Sequence, residues 1–278
     1  MMVYKHYSQE QLNDQYNNRL HVPDHAGYFE RWERLSRKTE KEHYVLKDIS
    51  FGIHPRESLD IFPSEKPDSK TMIFIHGGYW HLFDKTMFHF IAAAFLKRGV
   101  TTVFLNYPLA PANSISQIVL SCGHAIRWLH ENIKRFNGSP AQMHVMGYSA
   151  GGHLASMLSV EEDLNYLRSI ITLSGLFNLE PLMISNLNHV LGMDKETVMR
   201  NSPVLLEPRY TCPLLLATGT QETDEFKNQS TDMYESWKNR HSRLTLLNVE
   251  GKNHYSILDA VTETGSSLQS AIFRLMNI

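Results

Sequence analysis

The chain has 278 residues, 42% hydrophobic and 20% charged, which is enough apolar mass for a large buried core. That balance excludes a disordered chain, a small disulfide scaffold and a long repeat array. The 27 Lys and Arg against 29 Asp and Glu leave a formal charge of -2, so no strong basic field draws nucleic acid or an anionic membrane.

Two cysteines, Cys122 and Cys212, are too few for a disulfide framework and read as buried free thiols in a reducing compartment. The N-terminus shows no apolar h-region, and no run of about 18 apolar residues occurs anywhere. The expectation is a soluble, cytoplasmic protein with a small-molecule substrate and neither a nucleic-acid nor a membrane partner.

Residues 1–43 are polar, aromatic and charged, with helical patterning over 8–20 and 28–38 and Pro23 between. Ser8 and Gln11 have the spacing of a capping box. This segment cannot form a core alone. Its Tyr7, Tyr16, Tyr28 and Trp32 suit an N-terminal helical flap laid across the main domain. Strand patterns over 44–51 and 58–62 are joined through Gly52 and Pro55, and the apolar strand 71–75 runs into Gly77-Gly78.

Residues 83–98 have helical spacing up to Gly99, and 100–105 is a strand. A long helix over 115–136, closed by Gly138, leads to the strand 142–146 and the helix 150–158. Strands follow at 169–173, 213–217 and 244–248, with helices at 226–240 and 256–276. Strands alternating with helices predict one α/β domain over 1–278, a mostly parallel sheet with helices on both faces. The two early strands suggest an antiparallel edge. Residues 175–210 contain no clear strand and read as a short helical insertion over the site.

Gly147-Tyr148-Ser149-Ala150-Gly151 is a G-x-S-x-G motif set between a strand and a helix. A sharp turn there needs small flanking residues, lifts the Ser149 hydroxyl clear of the sheet and aims a helix N-terminus at it. Ser149 is therefore the candidate nucleophile; the bland alternative is a glycine-rich turn. His76-Gly77-Gly78-Tyr79-Trp80 follows the strand 71–75. Its amides at Gly78 and Tyr79, with that of Ala150, are the candidate oxyanion donors, and His76 would orient the loop. Tyr79 and Trp80 are candidate substrate contacts, with packing of the cover as the alternative.

His254 follows the last strand and is the candidate general base by position, since 15 histidines make identity alone uninformative. The loop after the strand at 213–217 offers three carboxylates. The G-x-x-D/E offset from Gly219 selects Glu222 as the triad acid, with Asp224 as the alternative and Glu225 third. No H-E-x-x-H, paired C-x-x-C, P-loop or G-x-G-x-x-G is present, so neither a metal nor a cofactor is expected.

His76–Trp80, Gly147–His153, Gly219–Phe226 and Lys252–Tyr255 together resemble the kynurenine formamidase (arylformamidase) group of α/β-hydrolases. Gln15–Arg19 and Val22–His25 resemble its bacterial members. One departure is Glu222, where vertebrate members usually carry Asp. The resemblance implies the α/β-hydrolase fold and a metal-free serine mechanism. It also implies hydrolysis of N-formyl-L-kynurenine to L-kynurenine and formate in tryptophan catabolism, and suggests a homodimer. The residues themselves reach only a serine hydrolase of a small acyl compound. A broad carboxylesterase or another amidase remains the alternative, and a non-catalytic binding protein the remotest reading.

Overall fold

A computed structural model describes residues 1–161 and 164–278 of the chain. A small hairpin of β1 (Met2–Tyr4) and β2 (Tyr7–Ser8) precedes three helices, α1 (Gln9–Gln15), α2 (Asn18–His21) and α3 (His25–Glu42). The capping box is present, with Ser8 and Gln11 exchanging side-chain and backbone bonds. The patterning over 8–20 is divided because Asn17 caps α2, its side chain accepting from the Leu20 amide at 3.2 Å.

Eight strands form the central sheet: β3 (Leu46–Ser50), β4 (Ser58–Phe62), β5 (Ser69–Ile75), β6 (Thr101–Leu105), β7 (Gly138–Tyr148), β8 (Leu167–Leu173), β9 (Leu214–Gly219) and β10 (Leu244–Val249). Their order is β10-β9-β8-β7-β5-β6-β4-β3, with β4 antiparallel to both its neighbours and the other pairings parallel. The antiparallel edge expected from the two early strands is there.

The chain leaves β5 for β6 on one side and returns to β7 on the other. In a parallel sheet this reversal opens a crevice at the strands' C-terminal ends. Every residue of β6 and β9 is buried, whereas the outer strands β3 and β10 are partly exposed. Along β5, Ile73 and Ile75 join one apolar core and Met72 and Phe74 the other, so helices cover both faces. Among the described residues no helix is long and apolar enough to cross a membrane.

The remaining helices are α4 (Ala92–Leu96), α5 (Ile115–Asn132), α6 (Ala150–Glu161), α7 (Glu180–Ile184), α8 (Asn188–Leu191), α9 (Lys195–Asn201), α10 (Asp224–Trp237), α11 (Ser256–Thr262) and α12 (Ser267–Met276). Three depart from expectation. Over 83–98 only α4 is α-helical, and Lys85–Ile91 is a 3-10 helix. The Ser36 hydroxyl, from α3, donates to the Met87 carbonyl at 2.9 Å and accepts from the Phe90 amide at 3.0 Å, satisfying groups an α-helix would pair internally.

The long helix over 115–136 ends at Asn132, and a 3-10 turn follows. Asn137, at φ 63°, closes that turn, while Gly138 opens β7 opposite Ser69. The last helix is two. Gly265 turns the chain and Ser266 caps α12 through the Gln269 amide.

Candidate active site

Three strands end at the crevice in left-handed turns held by non-glycine residues. Ser149, after β7, has φ 55°; Tyr79 and Trp80, after β5, have φ 48° and 59°; Ser174, after β8, has φ 53°. Side chains rarely adopt this conformation, and such strain concentrates where geometry matters more than stability. At Ser149 the sequence permits it because the flanks are bare. A Cβ on Gly147 would stand 2.0 Å from the Gly151 carbonyl oxygen, and one on Gly151 2.0 Å from that of Ile75. The Ser149 amide donates to the Leu173 carbonyl at 2.8 Å, which ties the turn to β8.

Across from Ser149, the loop of Gly77 to Trp80 leaves β5. His76 is fully buried, stacks on Tyr107 with ring centres 4.4 Å apart, and holds the Gly77 carbonyl through Nδ1 at 2.7 Å. Burial lowers its pKa to about 4, so it is neutral and structural at pH 7. Among the described residues, nothing accepts from the amides of Gly78, Tyr79 or Ala150. Ala150 opens α6, so its N–H lies at the positive end of that helix.

His254 and Glu222 meet on loops after β10 and β9. His254 Nδ1 donates to Glu222 Oε2 at 2.8 Å. A carboxylate only accepts, so this bond fixes the tautomer and leaves Nε2 with a lone pair. Glu222 Oε1 accepts from the Ser174 hydroxyl at 2.6 Å, the Gly219 amide at 2.7 Å and the Thr218 hydroxyl at 3.2 Å. The Tyr148 hydroxyl holds the His254 carbonyl at 2.8 Å.

Asp224, the alternative acid, does not reach His254; it opens α10, is 71% exposed and pairs with Lys227. Glu225 is buried but bonds Lys5 and Tyr16 instead. Ser149 and His254 line one cavity of about 380 Å³ together with Gly78, Tyr79, Tyr148 and Tyr255.

Residues 13–19 and 185–190 supply much of the rest of that lining. The N-terminal segment is tied down at several points. The Tyr79 hydroxyl donates to the Tyr16 carbonyl at 2.7 Å, Thr223 to the Gln15 carbonyl at 2.8 Å, and Gln9 to the Ile184 carbonyl at 2.9 Å.

One sequence expectation is corrected. Trp80 is not part of the cavity wall. It is fully buried, and its ring N–H donates to His153 Nδ1 at 3.2 Å. His153, one helical turn after Ser149, donates in turn from Nε2 to the Asn201 carbonyl at 2.7 Å. The left-handed turn at Trp80 swings the indole away from the crevice and under α6. Tyr79, by contrast, lines the cavity.

Sequence reasoning missed Ser174, Tyr148, His153 and Arg19 as site residues. Only Ser174 had a local signal, a small polar residue directly after a buried strand. Tyr148 and His153 act through partners far away in the chain, and Arg19 is brought to the cavity by the fold.

A family model described as BD-FAE matches residues 59–178. Kynurenine formamidases of Danio rerio and Salmo salar are 24% and 25% identical to the chain over 244 and 245 residues, covering 84% of it and 82% of each relative. A candidate thioesterase from a Silicibacter species superposes with TM-score 0.85 at 25% identity, over 94% of this chain and 98% of that one. A thermostable carboxylesterase from a metagenomic library superposes with TM-score 0.69 at 16% identity, over 90% and 94%.

The chain has the α/β-hydrolase fold, and it is an enzyme of the hydrolase class. Within that class the chain is similar to kynurenine formamidases over most of its length.

Proposed function

We propose that the protein is a metal-independent serine hydrolase that cleaves the formamide of N-formyl-L-kynurenine to L-kynurenine and formate. The observation that carries the reading is the arrangement of Glu222, His254 and Ser149. A buried carboxylate orients the imidazole, and imidazole and strained serine line the same cavity. Similarity to kynurenine formamidases over most of the chain supports the substrate.

In this mechanism His254 Nε2 takes the Ser149 proton as Oγ attacks the formyl carbon. The amides of Gly78, Tyr79 and Ala150 receive the oxyanion. His254 then protonates the departing aryl amine, which leaves readily because its lone pair is conjugated with the ring. Water, deprotonated by His254, releases formate from Ser149.

The test compares N-formyl-L-kynurenine with 4-nitrophenyl acetate, on wild type and Ser149→Ala, with chelator present. The expected kcat/KM for the formamide is about 10⁴ M⁻¹s⁻¹ or more, lost in the variant. Ester turnover without formamide turnover would replace this reading with a carboxylesterase, which the esterase-like solved structures favour.

A further inference from the structure

We propose that Arg19 is the carboxylate-recognising residue of this cavity, so that the enzyme selects ligands pairing an aromatic ring with an anionic tail. The proposal deepens the proposed function and rests on the same cavity serving as its substrate site.

Arg19 lies on α2 and lines the cavity together with Ser149 and His254. No Asp or Glu is among the lining residues, so Arg19 meets no opposing charge there. Among the described residues it forms no ion pair. By contrast, Lys5 and Arg31 of the N-terminal segment lie outside the cavity lining and pair with Glu225 and Asp259.

The same wall carries two further polar groups, the Tyr255 hydroxyl and the His81 ring. Burial raises Tyr255 to about 12 while Arg19 pulls the other way; burial and Arg19 both lower His81. A guanidinium, a hydroxyl that stays protonated and an imidazole that stays neutral form a donor-rich, cation-centred surface, which suits a carboxylate.

Beside it stands an aromatic wall. Phe29 meets Phe83 at 5.3 Å and Tyr255 at 5.4 Å, both edge-on, and all three line the cavity. Arg19 is held in register by its neighbour Asn18, whose side chain donates to the Tyr79 hydroxyl at 3.5 Å, and by the bond from Tyr79 to Tyr16. The same tyrosine contributes a candidate oxyanion amide, so the anion subsite and the reaction centre are coupled through one residue.

The test is direct binding by calorimetry, which needs no turnover. The probes are 3-benzoylpropionate and its primary amide, matched in shape and differing in charge. Wild type is expected to bind the acid about ten-fold or more tightly than the amide, as for a charge-assisted bond against a neutral one. Arg19→Gln should bring the two within about two-fold, and Arg19→Lys should retain part of the preference, because it keeps the charge but loses the fork. Raising salt should narrow the wild-type preference, since Arg19 is exposed.

Equal binding of the two probes by wild type, or an unchanged ratio in Arg19→Gln, would overturn the proposal. Failure to turn over N-formyl-L-kynurenine, with the acid preference intact and lost in Arg19→Gln, would remove the formamidase reading and leave the anion subsite standing.

Discussion

Glu222 and Asp224 lie two residues apart, yet the first carboxylate is fully buried and the second 71% exposed. The Gly219 amide reaches back to Glu222 Oε1, so the loop folds around its own carboxylate. Ser174 and Thr218 complete the set of donors and leave Oε2 for His254. Glu222→Gln keeps the shape but can present an amide N–H to the imidazole. It should lower kcat by about 10²–10⁴-fold, while Asp224→Asn stays within about two-fold of wild type. Equal losses in steady-state assays of both variants would reject the assignment. The offset from Gly219 made Glu222 legible because the bond that selects it is local. Ser174 offered only the signal of a small polar residue after a buried strand, and its role stayed hidden because its partner is 48 residues away.

At the scale of elements, Trp80, His153 and Asn201 connect the loop after β5, the nucleophile helix α6 and the end of α9. His153 accepts at one nitrogen and donates at the other, so neither end of this strut can be exchanged freely. Trp80→Phe keeps much of the ring volume and leaves His153 Nδ1 buried without a donor, which should cost about 1–3 kcal/mol in denaturant unfolding. As Trp80 does not reach the cavity, kcat should fall with KM nearly unchanged. A raised KM with undisturbed stability would return Trp80 to the substrate wall. From sequence, an aromatic beside the two glycines reads equally as wall or as packing. The positive φ at Trp80 decides between them, and that angle follows from the fold around it.

For the whole molecule, pH acts through buried histidines. His76, His144 and His153 are buried, and burial lowers each pKa from 6.5 to about 4. Between those values the unfolded chain binds protons that the native state does not, so stability falls as pH drops from about 6.5 to 4. The loss is on the order of 2–3 kcal/mol for each histidine. The thermal midpoint should therefore begin to decline below about pH 6.5, above the range in which ordinary carboxylates titrate. A flat midpoint from pH 7 to 4.5 would contradict it.

The seat of α3 is a buried charge cluster. Lys85 and His89 meet Asp60 at 3.3 and 3.1 Å, and His89 also meets Glu40 of α3 at 2.7 Å. Removing one partner leaves a buried charge uncompensated.

What the amino-acid order determined alone was local. The bare glycines around Ser149, the alternation of apolar strands with amphipathic helices, the capping box at Ser8 and the spacing from Gly219 to Glu222 each act within a few residues, through sterics and short-range hydrogen bonds. Tertiary structure decided what depends on distant partners: Ser174 behind Glu222, Trp80 under α6, the division of four expected helices, and Arg19 in the cavity of Ser149. Those outcomes arise because an open twisted sheet and its covering segments bring together groups 48 to 220 residues apart, and no local pattern encodes which of them will meet.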